Sequence, residues 1–134
     1  MANVTRDMAS GTDLLSIEKA GAVTSTQTSA ALDITSYSGM IAINLDSAAG
    51  TGTSPTLDVK LQESATSGGT YTDVTDANGD VVQFTQVTGS ASEQVIGLDA
   101  DGSLGFIKAV QTVGGTSPSF SYSINASARK QVSD

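Results

Sequence analysis

Two short stretches carry oxygen donors at alternate positions: Asp76-Ala77-Asn78-Gly79-Asp80 and Asp99-Ala100-Asp101-Gly102-Ser103. Such spacing is how a loop surrounds a calcium ion. The EF-hand pattern then needs glycine at the sixth position and a bidentate glutamate at the twelfth. Here Val81 and Val87 stand at those places after Asp76, and Leu104 stands at the sixth after Asp99, so neither loop completes the pattern. Asp, Asn and Gly are also what tight turns require, and the reading is of plain turns with no metal.

Other chemistry is bounded by residue types. The chain has no histidine and no cysteine, which excludes a Ser-His-Asp triad, imidazole acid–base work, histidine metal sites, thiolate nucleophiles and disulfides. Lys60 and Lys108 have no Ser-x-x-Lys spacing for a serine–lysine dyad. Carboxylates are plentiful, but three tyrosines, three phenylalanines and no tryptophan leave no aromatic cleft to raise the pKa of one of a pair or to stack a sugar. Gly50-Thr51-Gly52-Thr53-Ser54-Pro55 lacks the Gly-Lys-Ser/Thr end of a phosphate loop. The expectation is a protein with no catalytic residues and no cofactor.

Composition bounds the partners. The 134 residues carry 14 carboxylates against 6 cations, a formal charge of −8. A nucleic-acid binder needs a basic stripe to replace phosphate counterions, and six scattered cations cannot form one. Residues 36–128 hold nine carboxylates and two lysines, so the acidity belongs to the body of the domain. No run approaches the roughly 18 apolar residues of a membrane span, and Met1–Ser10 lacks the apolar run of a signal peptide. The partner is expected to be neither nucleic acid nor membrane, and synthesis is expected in a cytoplasm.

The elements follow from period-two alternation. Ile41, Ile43 and Leu45 alternate with Met40, Ala42 and Asn44, and Leu57, Val59 and Leu61 alternate with Asp58, Lys60 and Gln62. A diverged copy recurs: Gly39–Glu63 and Gly105–Ala126 share an order of glycine, apolar run, glycine-rich turn, the tetrad Gly-Thr-Ser-Pro and an alternating strand. Phe120, Tyr122 and Ile124 match Leu57, Val59 and Leu61. Each copy reads as a β-hairpin supplying inner faces. Asn78-Gly79 reads as a type I′ turn, Asp101-Gly102 as a second tight turn, and no segment has sustained helical period. The prediction is an all-β antiparallel sandwich, jelly-roll or Ig-like, of about eight to ten short strands at residues 32–128. It has an extended arm at 1–31, with strands near Leu14–Lys19 and Ala22–Thr28, and a short tail at 129–134.

Candidate interface residues are the apolar points of the arm, Val4, Met8, Leu14, Leu15 and Ile17, together with Phe106 and Val110. In the repeat register the last two fall on the face opposite the core, which suits either local packing under the arm or a subunit or partner contact centred on Phe106.

Leu57–Val87, with its strand ending in Gln62-Glu63-Ser64, its glycine-rich turn and Tyr71-Thr72-Asp73-Val74, followed by Phe106–Ile124, resembles small β-sandwich virion proteins of tailed bacteriophages. The resemblance covers roughly residues 32–126. It implies a head decoration, or cement, protein: often trimeric, binding the major capsid protein on the capsid exterior and bridging neighbouring subunits. A tail or neck component, and a receptor- or carbohydrate-binding module, are the alternative readings.

Overall fold

The computed structural model describes residues 12–130, and in them every regular element is a strand. These are β1 (Thr12–Val23), β2 (Gln27–Thr28), β3 (Leu32–Asp33), β4 (Tyr37–Ser47), β5 (Thr51–Ser64), β6 (Thr72–Asp73), β7 (Ser92–Asp99) and β8 (Phe106–Lys130). All pairings are antiparallel.

One strand belongs to both layers. The second half of β8 lies between β1 and β4, and β7 adds to the far side of β4; this is the front sheet. Its first half lies between β5 on one side and β2 and β3 on the other, with β6 beyond β5; this is the back sheet. Residues 82–87 extend the same edge of β5 through the bridges Leu57↔Val87 and Lys60↔Gln83. The fold is the expected antiparallel β-sandwich, but its longest strand has 25 residues.

The alternation gives the core its side chains. Ile41, Ile43 and Leu45 of β4, Leu57, Val59 and Leu61 of β5, and Ile107, Ala109, Phe120, Tyr122, Ile124, Ala126 and Ala128 of β8 are all buried in one cluster. Leu57, Val59, Leu61, Phe120, Tyr122 and Ile124, the expected inner residues, are among them.

The two copies of the repeat are not hairpins. β4 and β5 lie in different sheets and do not pair with each other, and β8 is one continuous strand. Copy one is two strands joined through residues 48–50 and copy two is one strand, and each turns a corner from one layer to the other. Copy one runs front to back and copy two back to front, so they lie antiparallel along their whole length. Their tetrads meet at the corner: Thr53 is opposite Thr116.

Local conformation repeats across this approximate two-fold. Gly52 and Gly115 have φ of 104° and 109°, and Ser54 and Ser117 have φ of 51° and 49°. A Cβ on Gly52 would stand 2.5 Å from the Ser117 carbonyl oxygen, and one on Gly115 would stand 2.7 Å from that of Ser54. Only glycine permits this approach. Pro55, with no N–H to donate, falls in the gap between Thr53 and Thr56 where the ladder shifts register.

The same half-turn relates the flanking strands. Copy one is covered by later chain, with β6 and residues 82–87 beside β5 and β7 beside β4. Copy two is covered by the N-terminal segment, with β1 beside the second half of β8 and β2 and β3 beside the first. Residues from Thr12 on, expected as part of an arm, are therefore edge strands of the sandwich. The expected tail begins inside β8, which continues to Lys130. Alternation reports which face a side chain takes and says nothing about its neighbour strand, so it does not distinguish a hairpin from a corner or an arm from an edge strand.

A buried polar cluster fastens the N-terminal segment. Gln111 is fully buried at the place that Leu45 holds in copy one. Its Nε2 donates to Glu18 Oε1 (3.0 Å) and to the Ala109 carbonyl (3.3 Å), and its Oε1 accepts from Gln27 Nε2 (3.0 Å) and from the Tyr122 hydroxyl. β1 and β2 are thus tied through one side chain. Burial, and secondarily the nearby Glu18 carboxylate, push the Tyr122 hydroxyl up to about 12.

Candidate docking face

The two outer faces differ in how their side chains are used. On the back sheet, Lys60 pairs with Asp73 at 3.0 Å, Gln62 donates to the same carboxylate at 2.9 Å, and Gln86 donates to Asp58 at 3.1 Å. Lys108 lies 4.4 Å from the centre of the Tyr71 ring. The hydrogen bonds from Gln62 and Lys60 hold the Asp73 carboxyl below its usual range. Charged groups on this face find their partners within it.

The front face is built differently. Across β1, β8, β4 and β7 the registers line up Leu14, Ser127, Ala42 and Gly97 in one row, and Ser16, Asn125, Asn44 and Val95 in the next. Asn44 donates to Asn125 across the middle (3.2 Å). On this floor of small and amide side chains stand Leu14, Met40 and Val95, with 82%, 64% and 65% of their surface exposed. Met40 lies over Gly97, where an added Cβ would come within 2.6 Å of its Cε. Shallow hollows of about 320 and 410 Å³ flank the Asn44–Asn125 pair. Asp46, Glu93 and Asp99 add exposed carboxylates along β4 and β7.

Of the expected interface residues, Leu14 stands on this face. Leu15 packs against the core and Ile17 is buried in it, so their alternation with Leu14 directs them inward as core side chains. Phe106 and Val110 take the outer side of the back sheet, half-buried between neighbours: Phe106 is opposite Ser64 and Asp33, Val110 opposite Lys60 and Thr28. Val4 and Met8 lie outside the described residues. Met40 and Val95 were missed. Met40 was legible, being out of phase with Ile41; Val95 was not, because Val95, Ile96 and Leu98 make β7 apolar in both phases.

The two acidic loops hold themselves. Asp76 Oδ1 accepts from the backbone of Asn78 (2.8 Å) and Asp80 (3.0 Å), and Asp99 Oδ1 from that of Asp101 (3.0 Å). The Asn78-Gly79 turn is not type I′, since Gly79 alone has positive φ, at 87°. Gly79 N–H donates to the Asp76 carbonyl, closing a turn that ends on a left-handed glycine; with Asp76 as its own cap, Asn78 need not adopt positive φ.

No protein-family model matches the chain, and no curated protein matches it. Among solved structures it is similar to the CBM22-1–GH10 modules of the endo-1,4-β-D-xylanase 10B of Clostridium thermocellum, at 12% identity and TM-score 0.49 over 92% of this chain. It is also similar to a family two carbohydrate esterase from Cellvibrio japonicus, at 9% identity and TM-score 0.37 over 90% of this chain. The chain spans 25% and 34% of those two structures.

Proposed function

We propose that the chain is a structural virion protein of a tailed bacteriophage that docks its front face on the outside of the capsid and cements neighbouring capsid subunits. The observation that carries the docking role is the front face itself: three exposed aliphatic side chains on a floor of small residues, contiguous across four strands. Large exposed apolar side chains grouped on one face mark a contact surface. The sequence resemblance to small virion sandwiches supports the capsid as partner. The carboxylates of Asp46, Glu93 and Asp99 suit a patch bearing lysine or arginine.

Size bears on stoichiometry. Four strands about 4.8 Å apart and about seven residues long make a face of roughly 19 by 23 Å, on the order of 450 Å² per partner. Counted over both partners that is roughly 900 Å², below the roughly 1,200 Å² at which stable interfaces begin, so one copy alone binds weakly. A homotrimer engaging several sites at once turns weak contacts into firm attachment by effective concentration. Binding to the assembled shell alone then stabilises that shell by mass action.

The test is binding to purified expanded heads. The protein is expected to cosediment with heads and raise their rupture temperature, with Met40→Asp and Val95→Asp abolishing both while leaving the protein folded. No binding to heads overturns the reading; assembly with tail tube or neck proteins, or a response on glycan arrays, would assign the face to another partner.

A further inference from the structure

We propose that β1 is an exchanged strand: copies of this chain swap residues 12–23, each inserting its β1 beside the second half of a neighbour's β8. This rests on the N-terminal segment, independently of the capsid reading.

Three observations meet here. First, β1 is an edge strand, held by bonds at Glu18 and Asp13 that the β1 of any copy of the chain would supply equally. It pairs with β8 alone, through two register shifts, between Ser16 and Glu18 and between Glu18 and Gly21. Ile17 is its one buried side chain among those described, while Leu14, Ser16 and Lys19 through Ala22 are exposed.

Second, the connection to β2 has no slack. Val23 is opposite Phe120 and Gln27 is opposite Gln111, so Thr24–Thr26 cross between layers in four residue steps where β8 uses nine. Thr26 is held in place, its Oγ1 accepting from Val113 N–H at 3.0 Å. A hinge this short has few residues to reorder, so the open form, in which the chain runs straight on into another copy, is reached at low cost.

Third, the vacated edge selects its occupant. Without β1, the backbone of Phe120–Arg129 loses its ladder and Gln111 Nε2 loses Glu18. Unpaired backbone and a buried amide are both unfavourable, so the place must be refilled. The matching order of Leu15, Ile17, Glu18 and Val23 is carried by a second copy of the same chain.

The chain has no cysteine, which gives a clean trap. Ser16 and Asn125 are directly opposite and both exposed. Full-length S16C carrying a tag is mixed with untagged N125C, incubated and oxidised; a tagged–untagged covalent dimer well above that from S16C mixed with T112C, on the back face, is expected. Light scattering should give wild type a mass above one chain, and inserting Gly-Ser-Gly between Ser25 and Thr26 should shift it to the monomer. Monomeric wild type at all concentrations, or an oligomer that the insertion leaves unchanged with no cross-dimer above the control, overturns the proposal.

Discussion

The two copies of the repeated unit are alike where they bend and unlike where they are covered. Gly52 and Gly115 share one conformation, Ser54 and Ser117 another, and each glycine faces the other copy's serine. Away from the corner, one buried change is of kind and not only of size: apolar Leu45 in copy one stands where polar Gln111 stands in copy two. Copy one is flanked by chain that follows it and needs no polar core anchor there. Copy two is flanked by residues 12–33, which Gln111 grips through Glu18 and Gln27. The corner is thus a symmetric structural device, and the asymmetry lies in how the N-terminal segment is fastened.

The largest effects are expected at the corner. Gly52→Ala and Gly115→Ala each drive a methyl to within 2.5–2.9 Å of backbone oxygens at positive φ. Each should lower unfolding free energy by at least about 2 kcal/mol in urea titrations. Similar losses at both sites would sustain the two-fold; a harmless substitution at either would break it.

Next comes Gln111→Leu, which makes copy two like copy one. It strips partners from Glu18, Gln27 and the Tyr122 hydroxyl, and should destabilise by roughly 1–3 kcal/mol. Hydrogen exchange locates the loss: amides of β1 and β2 should exchange faster while those paired between β4 and β7 hold. Uniform acceleration would mean that Gln111 does not act through the N-terminal segment.

These residues also show what the sequence could reveal. Alternation placed Leu57, Val59, Leu61, Phe120, Tyr122 and Ile124 inside, because period two is a local property of the backbone. It could not tell a hairpin from a corner, since Pro55 and Pro118 mark a break in the ladder in either case. Gln111 was invisible because a glutamine in an apolar register gives no sign that its partners are 93 and 84 residues away. The front face was half legible: Leu14 and Met40 stand out of phase with buried neighbours, whereas Val95 sits in a strand apolar on both sides.

A smaller effect separates the cluster by pH. Tyr122→Phe removes one hydrogen bond to Gln111 and should cost about 1 kcal/mol at neutral pH. In the folded protein the Tyr122 hydroxyl is pushed up to about 12, against about 10 when unfolded. Its contribution is fully present below pH about 10 and is lost as pH rises toward 12, because the unfolded chain gives up the proton first. Tyr37, raised by its hydrogen bond to Asp13, acts in the same direction. The readout is therefore the difference between wild type and Tyr122→Phe, which should narrow between pH 10 and 12; a constant gap would detach Tyr122 from the alkaline loss.

The finest probe of the repeat is Ser54→Gly against Ser117→Gly. Both serines hold φ near 50°, which disfavours a side chain by about 1 kcal/mol or more. Glycine removes that strain but frees the unfolded chain, which offsets roughly 0.5–1 kcal/mol. Each substitution should therefore raise stability by at most about 1 kcal/mol, alike at the two sites if the copies are equivalent in energy as well as in shape. The double variant carries more information. Ser54 and Ser117 flank the Thr53–Thr116 pair and each faces the other copy's glycine, near enough for relaxation at one to reach the other. A gain differing from the sum of the singles by more than about 0.5 kcal/mol would show that the two tetrads act as one bend; strict additivity would make them two independent bends that happen to lie side by side.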